Sequence, residues 1–202
     1  MKKEPRTYKS TSERQKELLH IAARLIAEKG IVATTIPDIA ASAGLSVGAV
    51  YRHFESKAAL LAALVEADAA RLLAKVQKAA ANCAHPTDGL RAWSQAQLAD
   101  LSNPVELGLR AEIVALAAHD PAIRQSVCRH GAAVEGQLRT LLAAAAKPGS
   151  LFKKDPDAAV ELIATVMDGI QVRGAVVGQI VTQAAKLVEI AIAAAIEMPA
   201  KK

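Results

Sequence analysis

Aromatic side chains are almost missing from this chain, which has one Trp, two Tyr and two Phe among 202 residues. A large flat aromatic ligand would want stacking partners, and few exist to receive one. Cysteine is nearly as rare, and Cys83 and Cys128 alone make no disulfide framework. No apolar run is long enough to span a bilayer, so no membrane partner is expected. The basic N-terminus leads into no apolar stretch ahead of a cleavage site, which argues against a secretory signal and for a reducing, cytoplasmic setting. Strand signals and internal repeats are lacking. So are a nucleophile paired with a base, carboxylates at a useful spacing and a phosphate loop, which argues against an all-helical enzyme.

The chain is rich instead in Ala and Leu, within a hydrophobic share of 52%. Such a composition, poor in β-branched runs, predicts an all-α fold. Its length suffices for one or two domains with a sizeable core. The net charge of +5 is unevenly spread. Residues 1–57 hold ten Lys or Arg against six Asp or Glu, whereas residues 58–202 hold fifteen against fourteen. A phosphate-facing surface would put the basic excess at that end, and so would a solvated tail. Residues 1–11, with Lys2, Lys3, Arg6 and Lys9, read as a flexible basic tail.

Residues 34–57 read TTIPDIAASAGLSVGAVYRHFESK, two short helical words joined by a turn. Thr35 is an N-cap candidate with Asp38 three residues on, a capping box with Asp in place of Glu or Gln. Pro37 sits in the first turn, where its missing N–H costs nothing. Gly44 stops the first helix and suits a left-handed turn. Ser46 caps the second helix, and Ser56 caps whatever follows Lys57. Leu45 and Val50 are the expected buried pins. Helices this short need a third to pack on. One is at hand from about Ser12 to Lys29, with Leu18, Ile21, Ala22, Leu25 and Ile26 at amphipathic spacing before Gly30 ends it. The pattern is that of a helix-turn-helix, whose second helix enters the DNA major groove; an ordinary helical hairpin is the plainer alternative.

Downstream, a long helix is expected from Ser56 to about Ala81, broken by His85-Pro86. A helix starting at Thr87 or Asp88 carries Trp93, Gln97 and Leu101. Asn103-Pro104, Asp120-Pro121 and Asp155-Pro156 repeat one device, an N-cap followed by Pro at the first helical position. They open helices to about Ala118, Ala146 and Val177, with residues 147–154 left as a loop. A last helix lies near Thr182–Glu197, which makes about nine in all. Two metal-like patterns are set aside. Glu17 and His20 have no second copy to complete a di-iron bundle. Cys128 and His130 point about 200° apart on a helix, and Cys83 with His85 supplies only two ligands. Neither a metal nor another cofactor is expected.

Thr35, Asp38-Ile39-Ala40, Ala43-Gly44-Leu45-Ser46, Gly48, Tyr51, His53-Phe54 and Ser56-Lys57, with the helix order, resemble the TetR family of transcriptional regulators over roughly residues 12–66. Arg110-Ala-Glu-Ile-Val and Met167-Asp-Gly-Ile-Gln-Val-Arg173 look like the C-terminal domain of the betaine-biosynthesis repressor subgroup. The resemblance implies a DNA-binding domain over residues 1–57 and a helical ligand-binding and dimerisation domain over residues 58–202. It implies that Tyr51, His53 and Lys57 hold phosphates, and that Thr35 and Ser46 cap helices whose N-termini point at the DNA backbone. Val47, Gly48, Ala49 and Arg52 would form the exposed face of the recognition helix, with Arg52 suited to a bidentate pair on guanine. Pro37 and Ala49 depart from the family's usual polar residues, so base reading falls mostly on Arg52.

In the second domain the resemblance implies a ligand pocket among the middle helices. Candidates are Trp93, Gln97, Arg110 and Gln171, with Glu112, His119, Cys128, His130, Asp168 and Arg173 nearby in the pattern. Trp93 reads equally as a core anchor, and Arg110 and Arg173 as structural partners of Glu112 and Asp168. Small residues recur in the last two helices, from Ala164, Gly169, Gly174 and Gly178 to Ala184, Ala191, Ala194 and Ala195. They predict a homodimer through a four-helix bundle. The function expected is a nucleoid-associated, ligand-responsive repressor, dimeric on a pseudo-palindromic operator in double-stranded DNA and released by a small-molecule effector. A dimeric DNA-binding adaptor without a ligand is the alternative.

Overall fold

In the computed structural model, residues 10–81, 83–180 and 182–197 are described, and they form ten helices and no strand. The basic tail read from the sequence lies, up to residue 9, outside them. Helix α1 spans Thr11–Ala33 and opens on a capping box between Ser10 and Glu13. Its regular part ends where the sequence put it, at Gly30, whose φ of 84° and ψ of 160° suit glycine alone. One further turn follows, closed by the Thr34 hydroxyl donating to the Gly30 carbonyl at 2.8 Å.

Helix α2 (Ile36–Ser42) and helix α3 (Val47–Tyr51) are the two short words. Between them, Gly44 N–H donates to Ala41 O and Leu45 N–H to Ala40 O. This is a Schellman closure with Gly44 at φ +64° in the left-handed position. Val50 is the fully buried pin, while Leu45 is only half-buried against the same core.

Helix α4 (Lys57–Ala81) starts from the Ser56 cap and runs into the second half of the molecule. Helices α5 (Pro86–Leu101), α6 (Pro104–Ala117), α7 (Pro121–Ala145) and α9 (Pro156–Val177) all begin at a proline, the last three behind Asn103, Asp120 and Asp155 caps. The expected loop 147–154 holds an additional short helix, α8 (Leu151–Lys154). Ser150 caps it and Phe152 pins it into the core. One turn leaves no periodicity to read, which is why the sequence shows a loop there. Helix α10 spans Ala184–Ile196.

Two apolar cores result. The first gathers α1 to α3 and the start of α4 with Leu109, Ile113 and Ala117 of α6 and Ile123 of α7. The second lies among α4, α5, α7, α8, α9 and α10 around Trp93, Leu138, Leu142 and Ile163. Helix α6 joins them. It approaches α1 so closely at Gly108 that a Cβ there would stand 3.2 Å from the Ala27 Cβ and carbonyl oxygen.

Candidate nucleic-acid interface and effector cavity

The capping box of α2 has formed with Asp in the third position: Thr35 Oγ1 accepts from Asp38 N–H, and the Thr35 N–H donates to Asp38 Oδ2 at 2.8 Å. The hydroxyl also donates to that oxygen, at 2.6 Å, so both Thr35 donors are spent inside the box. Lys29 completes it at 2.8 Å. The Lys29 ammonium first, then the Thr35 hydroxyl and amide, hold the Asp38 carboxyl far below the usual carboxylate range. Ser46 caps α3 by accepting from Ala49 N–H at 3.2 Å.

Along α3 and its exit, Ser46, Val47, Gly48, Tyr51 and Arg52 are exposed, and Arg52 pairs with no acid among the described residues. Ala49 departs from the sequence reading. It is 8% exposed, turned to the inside of so short a helix, and so does not belong to the outward face. His53 is half-buried, with Nδ1 enclosed and unpartnered. Lys57 is also half-buried, and its Nζ donates to the Ile31 carbonyl at 2.6 Å. An ammonium has two further donors, but one of the three now ties the start of α4 to the kink of α1. Glu112 of α6 takes the other side of the same residue, accepting from Ile31 N–H at 2.8 Å. The kink beneath the helix-turn-helix is therefore held by a side chain from α4 and one from α6.

In the second half, a cavity of about 240 Å³ lies between α4, α5, α6, α7 and α9. All four pocket candidates line it: Trp93 and Gln97 from α5, Arg110 from α6 and Gln171 from α9. Its walls are mostly apolar, with Val65 and Leu72, Leu101, Ile113, Val127 and Val134, and Met167. Trp93 is 2% exposed and Gln97 7%, and Trp93 Nε1 and Gln97 Nε2 are buried without a hydrogen-bond partner. Buried donors are rarely left so.

Arg110 is not paired with Glu112 as the sequence suggested, because Glu112 serves Ile31. Its guanidinium donates to Asp100 Oδ2 and lies 3.6 Å from Asp68. Asp100, which the sequence reading passed over, is the hub: it accepts from Arg71 at 2.6 Å and Lys75 at 3.0 Å as well. Arg71 reaches on to Asp68 and Glu106. Three acids meet three bases, so the cluster is neutral. Burial by itself would raise the Asp100 carboxyl, but the Arg71 hydrogen bonds, the Arg110 charge and the Lys75 hydrogen bond hold it below its ordinary value. Nor are Arg173 and Asp168 a pair. Arg173 is exposed, and Asp168 faces the cavity, where burial and the neighbouring Glu161 push its carboxyl up.

His130, also on the cavity wall, has the Ser126 carbonyl at 2.8 Å and the Ser126 hydroxyl at 3.4 Å from Nδ1, and Glu66 at 3.1 Å from Nε2. Glu66 further accepts from the Ser126 hydroxyl at 2.6 Å and Arg129 at 2.7 Å, and these contacts, the hydroxyl foremost, lower its carboxyl. Among the described residues, no three His, Cys, Asp or Glu side chains gather as metal ligands would, and no helix is long and apolar enough to cross a membrane.

A short exposed helix after a Schellman turn, buttressed by a third helix and joined through α4 to a cavity-bearing helical half, defines a helix-turn-helix transcription regulator. Residues 18–64 match the family described as bacterial regulatory proteins, tetR family, and residues 86–197 match the BetI-type transcriptional repressor, C-terminal. The chain belongs to the TetR family, DNA-binding transcription regulators and not enzymes. It is 30% identical over 156 residues to the HTH-type transcriptional repressor AcnR of Corynebacterium efficiens, covering 77% of this chain and 78% of that one. It is 52% identical over 50 residues to the HTH-type transcriptional repressor KstR2 of Rhodococcus jostii, a match that spans 25% of this chain and only 24% of that relative. A crystal structure of a TetR transcription regulator from Haloarcula marismortui has the same fold, with a TM-score of 0.79 at 19% identity over 93% of this chain and 98% of that one.

Proposed function

We propose that this regulator is a ligand-responsive repressor that binds a pseudo-palindromic operator as a homodimer and is released when a small molecule enters the cavity. The observation that carries the reading is the shared architecture of cavity and kink. Helices α4 and α6 wall the cavity, and the same two helices hold Ile31 through Lys57 and Glu112. A ligand that favours one spacing of α4 and α6 would bias the pose of the helix-turn-helix by its differential affinity for the two states.

Tyr51, His53 and Lys57 position the unit on phosphates in this reading, with α2 and α3 presented by their Thr35 and Ser46 caps. Arg52 reads a base, Val47 and Gly48 give close approach, and Ala49 acts from inside. Dimerisation is supported by the exposed apolar stripe of α9 and α10, which carries Val172, Val176, Leu187 and Ile190. The small residues divide between two tasks. Gly174, Ala184, Ala191 and Ala195 are buried within the monomer, whereas Gly169, Ala185 and Ala194 face outward with the stripe.

Two measurements test the reading. DNA selected from a random pool gives the operator, and fluorescence anisotropy then screens small metabolites for release. The account expects at least one compound that both raises the thermal midpoint and weakens operator binding. If no compound in a broad metabolite library changes operator affinity, the protein is a DNA-binding adaptor and the ligand-responsive reading is wrong.

A further inference from the structure

The corner where α1 meets α2 has few donors left to offer DNA. Thr35 commits its hydroxyl hydrogen and its N–H to Asp38 Oδ2, at 2.6 and 2.8 Å. Of the first three residues of α2, Pro37 has no N–H and Asp38 gives its own to Thr35 Oγ1, which leaves only Ile36. Asp38 also adds a negative charge. Its carboxyl stays ionised at neutral pH, because the Lys29 ammonium and then the Thr35 hydroxyl and amide hold it far below the usual range. A helix start already occupied by a carboxylate repels a phosphate instead of receiving it.

One cation stands at this corner. Lys29, on the last regular turn of α1, places Nζ 2.8 Å from Asp38 Oδ2 with its side chain 36% exposed. An ammonium has three donors, and Asp38 is the one acid that Lys29 pairs with among the described residues. We propose that Lys29 grips a phosphate of the DNA backbone at this corner, the contact that the Thr35 cap is unable to make, and that Asp38 aims it there. The proposal rests on the reading of α2 and α3 as the DNA-binding pair, in which the first helix of the two crosses the backbone. Asp38 belongs to that first helix, so the ammonium fixed to it lies on the same path. Holding Lys29 by one donor before DNA arrives lowers the cost of ordering a long side chain. The ammonium also offsets a carboxylate that would otherwise face the duplex alone. Such a contact positions the protein and reads no base.

The test uses the full-length protein, its selected operator and a random duplex of equal length, with binding followed by anisotropy over a series of salt concentrations. Lys29→Gln should weaken binding to both DNAs by the same factor. It should also lower the slope of log affinity against log salt by roughly 0.9 for each protomer bound. Lys29→Arg should restore the slope, because it restores the charge. Asp38→Asn keeps Lys29 and a side-chain oxygen for the Thr35 N–H, and should leave the slope intact. A slope unchanged by Lys29→Gln, or one that Asp38→Asn lowers as much, would mean that the ion pair only braces the capping box, and overturns the proposal. Neither result touches the DNA-binding reading of α2 and α3, which fails only if the wild-type protein shows no salt-sensitive binding to either duplex.

Discussion

Asp100 shows how much one buried side chain can organise without leaving a trace in the sequence. It lies on α5 among positions spaced like core residues, and nothing local marks it. Its partners come from α4 and α6, at separations of 29, 25 and 10 residues, and such pairings cannot be read from spacing along one helix. Removing one member of a buried ion cluster leaves the others uncompensated. Asp100→Ala should therefore cost about 3–5 kcal/mol of stability by urea denaturation, and a loss below about 1 kcal/mol would show that the cluster contributes little. The acid limb follows from the same residue. Because its folded value is depressed, its contribution is fully present above the unfolded value of about 4 and is lost as the pH falls through the lowered folded value. Asp100→Asn should flatten the fall in urea midpoint as the pH drops below the unfolded value of about 4.

On the DNA side, the caps and the turn were legible at this scale because Thr35, Asp38, Gly44 and Ser46 act on neighbours three or four residues away. The second duty of Lys57, on Ile31, was not, since its partner is 26 residues distant. Arg52→Ala should relax selectivity at one position per half-site by about 1–3 kcal/mol, and Tyr51→Ala should weaken every sequence alike. Gel shifts on operator and random DNA separate the two, and equal losses on both DNAs for Arg52→Ala would reject its base-reading role.

Among the elements, α6 is the one that the sequence described least. Its start at Asn103-Pro104 was plain, yet its position between two cores depends on Gly108, a residue with no turn or positive φ to advertise it. What Gly108 supplies is room for α1 at Ala27. Gly108→Val forces the two backbones apart and should destabilise the protein by about 1–3 kcal/mol, despite the better helix propensity of the replacement. Hydrogen exchange gives a finer check. Glu112→Ala should raise exchange at the Ile31 amide selectively, because that N–H loses its acceptor; unchanged protection there would mean that Glu112 does not hold the kink. The helices themselves were legible almost to the residue wherever an Asx-Pro pair opened them, and illegible at α8, where a single turn is fixed by Ser150 and Phe152 alone.

At the scale of the whole molecule, the apolar stripe of α9 and α10 leaves large aliphatic groups in water, Val176 at 81% exposure among them. A charge set into that stripe should prevent association. Ile190→Asp is expected to sediment as a folded monomer and to lose the pseudo-palindrome while keeping weak, salt-sensitive binding to any DNA. Small-residue periodicity had pointed to this pair of helices, but it could not tell Ala191, which packs inward, from Ala194, which faces out. That division needs the third dimension.

The central claim is that occupancy of the cavity controls hold on DNA, through α4 and α6 acting on the kink at Ile31. It is tested most directly by the operator dissociation constant, measured by anisotropy with the cavity empty and then saturated by a compound that raises the thermal midpoint. The account predicts weakening of roughly 5–150-fold, the usual span of such coupling. An unchanged dissociation constant at saturation would contradict it.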